Sequence, residues 1–195
     1  DRLAVSGAAF LLTRENAAIL VGPGPADFQQ AGEVEVRGIE LGVSGNITRQ
    51  WQVFGGYTWM DSELVKGAVT VVGTPPVVVP NPFEGLPLAN TPEHTFSLFT
   101  TYRVTPKLSL GGGFYYVSDS FGGNQGGAGG GANRVYAPAY TRFDLFASYD
   151  LNETASLQLN VQNATDEEYI MRTNGVHHAD VAPARQAILT LNLRY

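Results

Sequence analysis

Apolar and polar residues alternate along most of this chain. The last segment shows the rule: Leu189, Leu191, Leu193 and Tyr195 share one parity, while Thr190, Asn192 and Arg194 share the other. Successive side chains of a strand point to opposite faces, so period-two alternation marks a strand with one apolar and one polar face. Blocks of this kind, rich in Val, Leu, Tyr, Phe and Thr, predict eight strands, at 3–14, 33–47, 50–63, 94–104, 107–118, 140–151, 154–164 and 184–195. That places about half of the chain in strands, against roughly 20–25% in ordinary domains. No segment repeats every 3.6 residues, and no apolar run reaches the ~18 residues of a membrane-spanning helix.

The connections alternate in length. Thr48-Arg49, Thr105-Pro106 and Asn152-Glu153 are tight turns, whereas 15–32, 65–93, 119–139 and 165–183 read as long loops. Short turns at one end and long loops at the other are the asymmetry of an outer-membrane barrel. Aromatic residues on the apolar parity reinforce it. Trp51, Tyr102, Tyr149 and Tyr195 fall at the short-turn end, and Tyr57, Trp59, Phe96, Phe114, Tyr116 and Phe143 towards the long-loop end. From Trp51 to Trp59, eight rises of ~3.3 Å tilted by ~40° span roughly 20 Å, close to the ~25 Å apolar band of such barrels. The opposite parity carries Gln52, Thr58, Arg103, Arg142, Asp144, Asp150, Gln158, Asn160 and Gln162, which suit a wet lumen; Phe54, Tyr115 and Phe146 break that rule. The pattern predicts an all-β fold: an antiparallel transmembrane β-barrel segment of about eight strands, with long extracellular loops and short periplasmic turns. The alternative is a soluble antiparallel protein packing its apolar face on a second sheet, which would require neither aromatic girdles nor one-sided loops.

Composition narrows the chemistry. Charged residues make up 15% of the 195, the net charge is −6, and the only lysines are Lys66 and Lys107. A chain without a cationic cluster is unsuited to nucleic acid, which demands concentrated positive charge. With no cysteine there is no disulfide, thiol nucleophile or Cys-based zinc site. The N-terminal run Asp1-Arg2-Leu3-Ala4-Val5 lacks the basic and apolar regions of a signal peptide, so the segment reads as processed or as an internal piece. The Gly-rich run from Phe121 to Gly131 follows a strand, but no helix and no Lys-Ser/Thr pair follows it as in a phosphate loop. Val77-Val78-Val79-Pro80-Asn81-Pro82 reads as extended loop, since proline excludes it from a central strand. His177 and His178 with Asp180 form a possible metal set, although neighbouring residues of an extended chain point opposite ways. Glu167-Glu168 reads as a solvated turn, and no nucleophile elbow accompanies any Ser, His and Asp.

Three stretches carry a resemblance. Asn90-Thr91-Pro92-Glu93-His94-Thr95-Phe96-Ser97-Leu98, the run from Tyr140 to Tyr149, and Leu157-Gln158-Leu159-Asn160-Val161-Gln162-Asn163 resemble, in that order, the closing strands of TonB-dependent siderophore receptors. His177-His178-Ala179-Asp180-Val181-Ala182-Pro183-Ala184-Arg185 before a final aromatic-ended strand is most similar to the catecholate-siderophore subgroup. The resemblance implies a 22-stranded barrel closed by an N-terminal plug, with 1–195 as the C-terminal portion of the barrel and the plug absent from this sequence. It implies a multi-pass outer-membrane receptor that imports ferric siderophore and is not an enzyme. No intrinsic cofactor is expected. The expected partners are the ferric siderophore, the TonB energy-coupling complex acting through the missing N-terminal part, the barrel-assembly machinery through Tyr195, and outer-membrane lipid. Cationic and aromatic residues in the long loops suit a flat anionic chelate, which nominates Arg134, Tyr136, Arg172, His177 and His178 as ligand-binding residues. Two alternatives stand beside this reading: a complete eight-stranded barrel with a structural or adhesion role, and an outer-membrane enzyme.

Overall fold

In the computed structural model, which describes residues 2–22, 27–81, 83–122, 135–174 and 178–194, eight long strands follow one another across a single antiparallel sheet. They are β1 (Leu3–Leu20), β2 (Phe28–Asn46), β3 (Trp51–Lys66), β6 (His94–Arg103), β7 (Leu108–Val117), β10 (Tyr140–Asp150), β11 (Ala155–Gln162) and β14 (Gln186–Leu193). Each pairs with the next, in the order predicted from the alternation. β1 and β14 do not pair with each other, so the sheet is open. A complete eight-stranded barrel requires that closing pair, and the small-barrel alternative is therefore set aside.

Register fixes which residues share a face, because directly opposed residues lie on the same side of a sheet. Trp51 faces Tyr102, Tyr102 faces Leu110, Leu110 faces Ala147, Ala147 faces Leu159 and Leu159 faces Leu189. One face is thus apolar across six strands. The other face carries Arg103 opposite Ser109, Ser109 opposite Ser148, Ser148 opposite Gln158 and Gln158 opposite Thr190. Among the described residues no second layer covers the apolar face: Leu145 is 56% exposed and Leu189 68%. In a soluble sandwich this face would instead be the core. The buried apolar side chains among the described residues are Val53 within the sheet, Leu64 near the upper end of β3, and Phe83, Phe121, Ala137 and Tyr169 beyond the long-loop edge or at its rim.

Both aromatic girdles are in place. Phe96, Phe114 and Phe143 form a continuous row on the apolar face, with ring centroids 5.7 and 5.1 Å apart. At the short-turn end the Trp51 indole donates to Thr100 Oγ1 at 2.6 Å, and the Tyr102 hydroxyl reaches Gln50 Oε1 at 3.3 Å. Tyr195 lies outside the described residues. The three aromatics that broke the polar parity have structural partners. Phe54 stands opposite Phe99, and the Phe99 and Phe146 rings meet edge to face at 6.0 Å. The Tyr115 ring lies along its own strand over Gly113, where an added Cβ would come within 2.7 Å of it, and Arg142 sits 4.2 Å above that ring.

The long loops are more ordered than the pattern predicts. The expected loop at 15–32 is mostly strand: β1 and β2 continue to Leu20 and from Phe28, past a bulge between Arg14 and Ala17 where Asn16 takes φ 60. Arg14-Glu15-Asn16 ends the alternation, but backbone pairing needs no alternation and resumes beyond it. In the 65–93 loop, Val77–Val79 forms β5, paired with β4 (Thr70–Val72) as a separate hairpin. Proline kept it out of the main sheet as expected, without preventing a strand. Two further hairpins join β8 (Ser120–Phe121) to β9 (Tyr136–Ala137) and β12 (Ile170–Asn174) to β13 (His178–Val181).

Candidate functional site

At the long-loop end, backbone bonds and close packing join three loops into one layer. The upper part of β3 has outrun β6 and pairs with the 83–93 segment: Met60 N donates to Glu93 O at 2.8 Å and Leu64 N to Leu86 O at 3.0 Å. Ser62 Oγ, buried, lies 2.8 Å from Thr91 Oγ1 and accepts from Leu88 N. That segment reaches the next loop through Asn90 N, which donates to Phe121 O at 2.6 Å. β9 packs in turn against β12. The approach between these last two loops is so close that a Cβ on Gly122 would stand 1.2 Å from Thr173 Oγ1. Only glycine fits there.

The junction shapes a cleft of about 480 Å³ lined by Asn90, Arg172, Thr173, His178 and Asp180. The β12–β13 hairpin supplies four of these because its register opposes Arg172 to Asp180 and Asn174 to His178. Arg172 Nε donates to Asp180 Oδ2, and the outer Nη edge makes no hydrogen bond to another described residue. The pair is open to solvent, with side-chain exposures of 72% and 48%. Thr173 Oγ1 is buried and finds no partner among the described residues.

Of the five nominated residues, the structure brings Arg172 and His178 into one cleft. Tyr136 lines a different one, of about 270 Å³, with His94, Glu93, Ser118 and Asp119 among its walls. Arg134 and His177 lie outside the described residues. Asn90 and Thr173 were missed: neither carries charge or ring, and only the folded loop layer brings Asn90 to the hairpin. Asp180 had been considered only as a metal ligand; it is instead an ion-pair partner, and among the described residues no three His, Asp or Glu side chains are grouped to hold a metal ion. What the cleft offers is a guanidinium edge, an imidazole, a carboxylate and an amide, which is binding chemistry for a polar anion.

Residues 1–164 match the family model described as TonB dependent receptor-like, beta-barrel. The chain belongs to the TonB-dependent receptor β-barrel family. Among curated relatives of this receptor chain, the probable TonB-dependent receptor BfrD of Bordetella pertussis is 39% identical over 100% of the chain, which corresponds to 25% of BfrD. The catecholate siderophore receptor Fiu of Escherichia coli K12 is 32% identical over 86% of the chain and 20% of Fiu. The crystal structure of the siderophore receptor PiuA from Acinetobacter baumannii superposes with a TM-score of 0.86 at 32% identity, covering 99% of this chain and 26% of that one. The chain therefore spans about a fifth to a quarter of the length of these relatives. The family is one of bacterial outer-membrane barrels, and the relatives' names describe receptors. The open sheet is a section of such a TonB-dependent receptor barrel.

Proposed function

We propose that this chain is the C-terminal part of the barrel of an outer-membrane receptor that imports ferric siderophore, of the catecholate class, driven through TonB acting on an N-terminal plug. The observation that carries the reading is the cleft of Arg172, His178, Asp180, Thr173 and Asn90 at the long-loop end, in a chain 32% identical to PiuA and to Fiu. Arg172 and His178 face the ligand from one cleft and Tyr136 from the neighbouring one, and Arg134 and His177 are nominated beside them by residue type alone. An exposed ion pair is worth only ~0–1 kcal/mol, so Arg172 can turn its donors from Asp180 to an anionic chelate at small cost. No bond of the cargo is made or broken. Outer-membrane lipid covers the apolar face, and the alternating strand that leads to Tyr195 supports recognition by the barrel-assembly machinery.

The test is radioiron uptake against siderophore concentration in cells carrying the full-length gene, with surface level measured by immunoblot. Arg134→Ala with Arg172→Ala is expected to raise half-saturation by one to two decades at undiminished surface level, since a charge-assisted contact is worth about 1.5–3 kcal/mol. Unchanged half-saturation removes these residues from the site. Absence of uptake of any ferric siderophore by the wild type overturns the transport reading.

A further inference from the structure

The hairpin that carries Arg172 and His178 is fastened to the barrel wall by a part-buried set of hydrogen bonds centred on the buried Asn163. This residue follows β11 directly, is 2% exposed, and takes φ 51, a left-handed conformation that asparagine tolerates. Its backbone N donates to Asp144 Oδ1 at 2.9 Å. Its side-chain Nδ2 donates to the carbonyls of Glu167 at 2.9 Å and Pro183 at 3.3 Å, while Oδ1 accepts from Glu167 N at 2.9 Å. Glu167 lies on the outgoing foot of the loop and Pro183 on the returning foot. One amide therefore holds both, its two N–H donors reaching one carbonyl on each foot while its oxygen accepts a second bond from the outgoing foot. On the wall side, Asp144 Oδ2 accepts from Arg142 Nη2 at 3.0 Å, and Arg142 lies on the Tyr115 ring, so the clasp is braced on β7 and β10. Asp166 Oδ1 accepts from Arg185 N at 2.7 Å, and the Tyr140 and Tyr169 rings stack at 4.0 Å, closing the feet from either side.

We propose that Asp144 and Asn163 are positioning residues for ligand capture: by joining both feet of the 164–185 loop to the wall they set where Arg172 and His178 stand at the barrel mouth. This rests on the reading of that hairpin as part of the siderophore site. The hydrogen bonds of the pair described above reach the feet and Arg142 and none of the cleft-lining residues, so the pair acts through the feet.

The experiment uses the full-length receptor with nitroxide labels at Ala179→Cys on β13 and Glu153→Cys in the turn after β10, together with uptake of ferric 2,3-dihydroxybenzoate by cells. In Asn163→Ala the label distance distribution is expected to broaden, and half-saturation to rise about tenfold, with the maximal rate per surface receptor unchanged. A residue needed only for stability would lower the surface level and leave both the distance and the half-saturation of the surviving receptor as in the wild type, and that result overturns the proposal. A displaced hairpin with unchanged half-saturation overturns it as well. If Asn163→Ala does not reach the surface, Asn163→Asp, which keeps the acceptor and loses both Nδ2 donors, is judged by the same criteria. Failure of the wild type to import any ferric complex overturns the transport reading instead, while the distance measurement still decides whether the clasp positions the hairpin.

Discussion

An arginine placed on one face of β11 or on the other should give two very different results. Leu159 sits on the apolar face, flanked by Ala147 and Leu189, so neither neighbour can accept a bond from a guanidinium. Gln158, one residue back, is flanked by Ser148 and Thr190 on the polar face. Both positions are paired on both sides, so neither answer depends on a free strand edge. Leu159 lies four residues beyond Ala155, where β11 begins. Four rises of ~3.3 Å at ~40° tilt put it ~10 Å inside a ~25 Å apolar band, near the midplane. An arginine there costs ~2–4 kcal/mol, falling to ~0–1 kcal/mol near the interfaces. Gln158→Arg, with its charge in water, should stay within ~0.5 kcal/mol of wild type. The expected gap of about 3 kcal/mol is about two decades in the folding equilibrium.

The assay is a urea titration of the full-length receptor refolded into phospholipid vesicles, following the gel-mobility shift of the folded barrel. Ala155→Arg on the same face supplies the depth control. A bilayer makes the loss shrink from Leu159 to Ala155, whereas a protein layer packed on this face would penalise both positions without regard to depth. Equal losses for Leu159→Arg and Gln158→Arg, or no decline towards Ala155, would refute the assignment of faces.

Two other perturbations test the loop layer. Gly122→Ala puts a Cβ 1.2 Å from Thr173 Oγ1 and 2.5 Å from Thr173 Cβ, so the two loops must separate and surface protease should cut them faster. Adding Thr173→Gly, which leaves Thr173's former Cα position at 3.3 Å as the nearest contact, should restore protection; unchanged cleavage in the single variant would mean the contact does not join the loops. Arg142→Met keeps the apolar stem but removes the cation over Tyr115 and the donor to Asp144, and should cost about 2 kcal/mol in the same vesicle titration. A loss below ~0.5 kcal/mol would show that the Asp144 clasp stands without its brace.

The sheet was legible in the sequence and much of the site was not, for one physical reason. A strand residue's face is set by parity alone, so Trp51, Tyr102, Leu159 and Leu189 could be assigned to one side without knowing which strand meets which. Where parity fails, as at Arg14-Glu15-Asn16, the reading failed too, although backbone pairing continued through Ala17 and Gly32. Loop positions obey no such period. Arg172 and His178, which the structure places in one cleft, stand out in the sequence because cationic and aromatic residues in long loops are recognisable by type. Asn90 and Thr173 line the same cleft through contacts between segments far apart in the chain, which residue type does not announce. Asn163 was noticed only as the end of a familiar-looking strand, and its role depends on Glu167 and Pro183 presenting carbonyls to it. Those contacts use the backbone of the feet and not their side chains. Residues 170–181 can therefore change in charge and size while the clasp holds the same two carbonyls, which lets one wall carry different ligand-contacting hairpins. On the proposed clasp the constraint falls on Asn163, whose two Nδ2 donors reach both feet, and on Asp144, which accepts from Asn163 N.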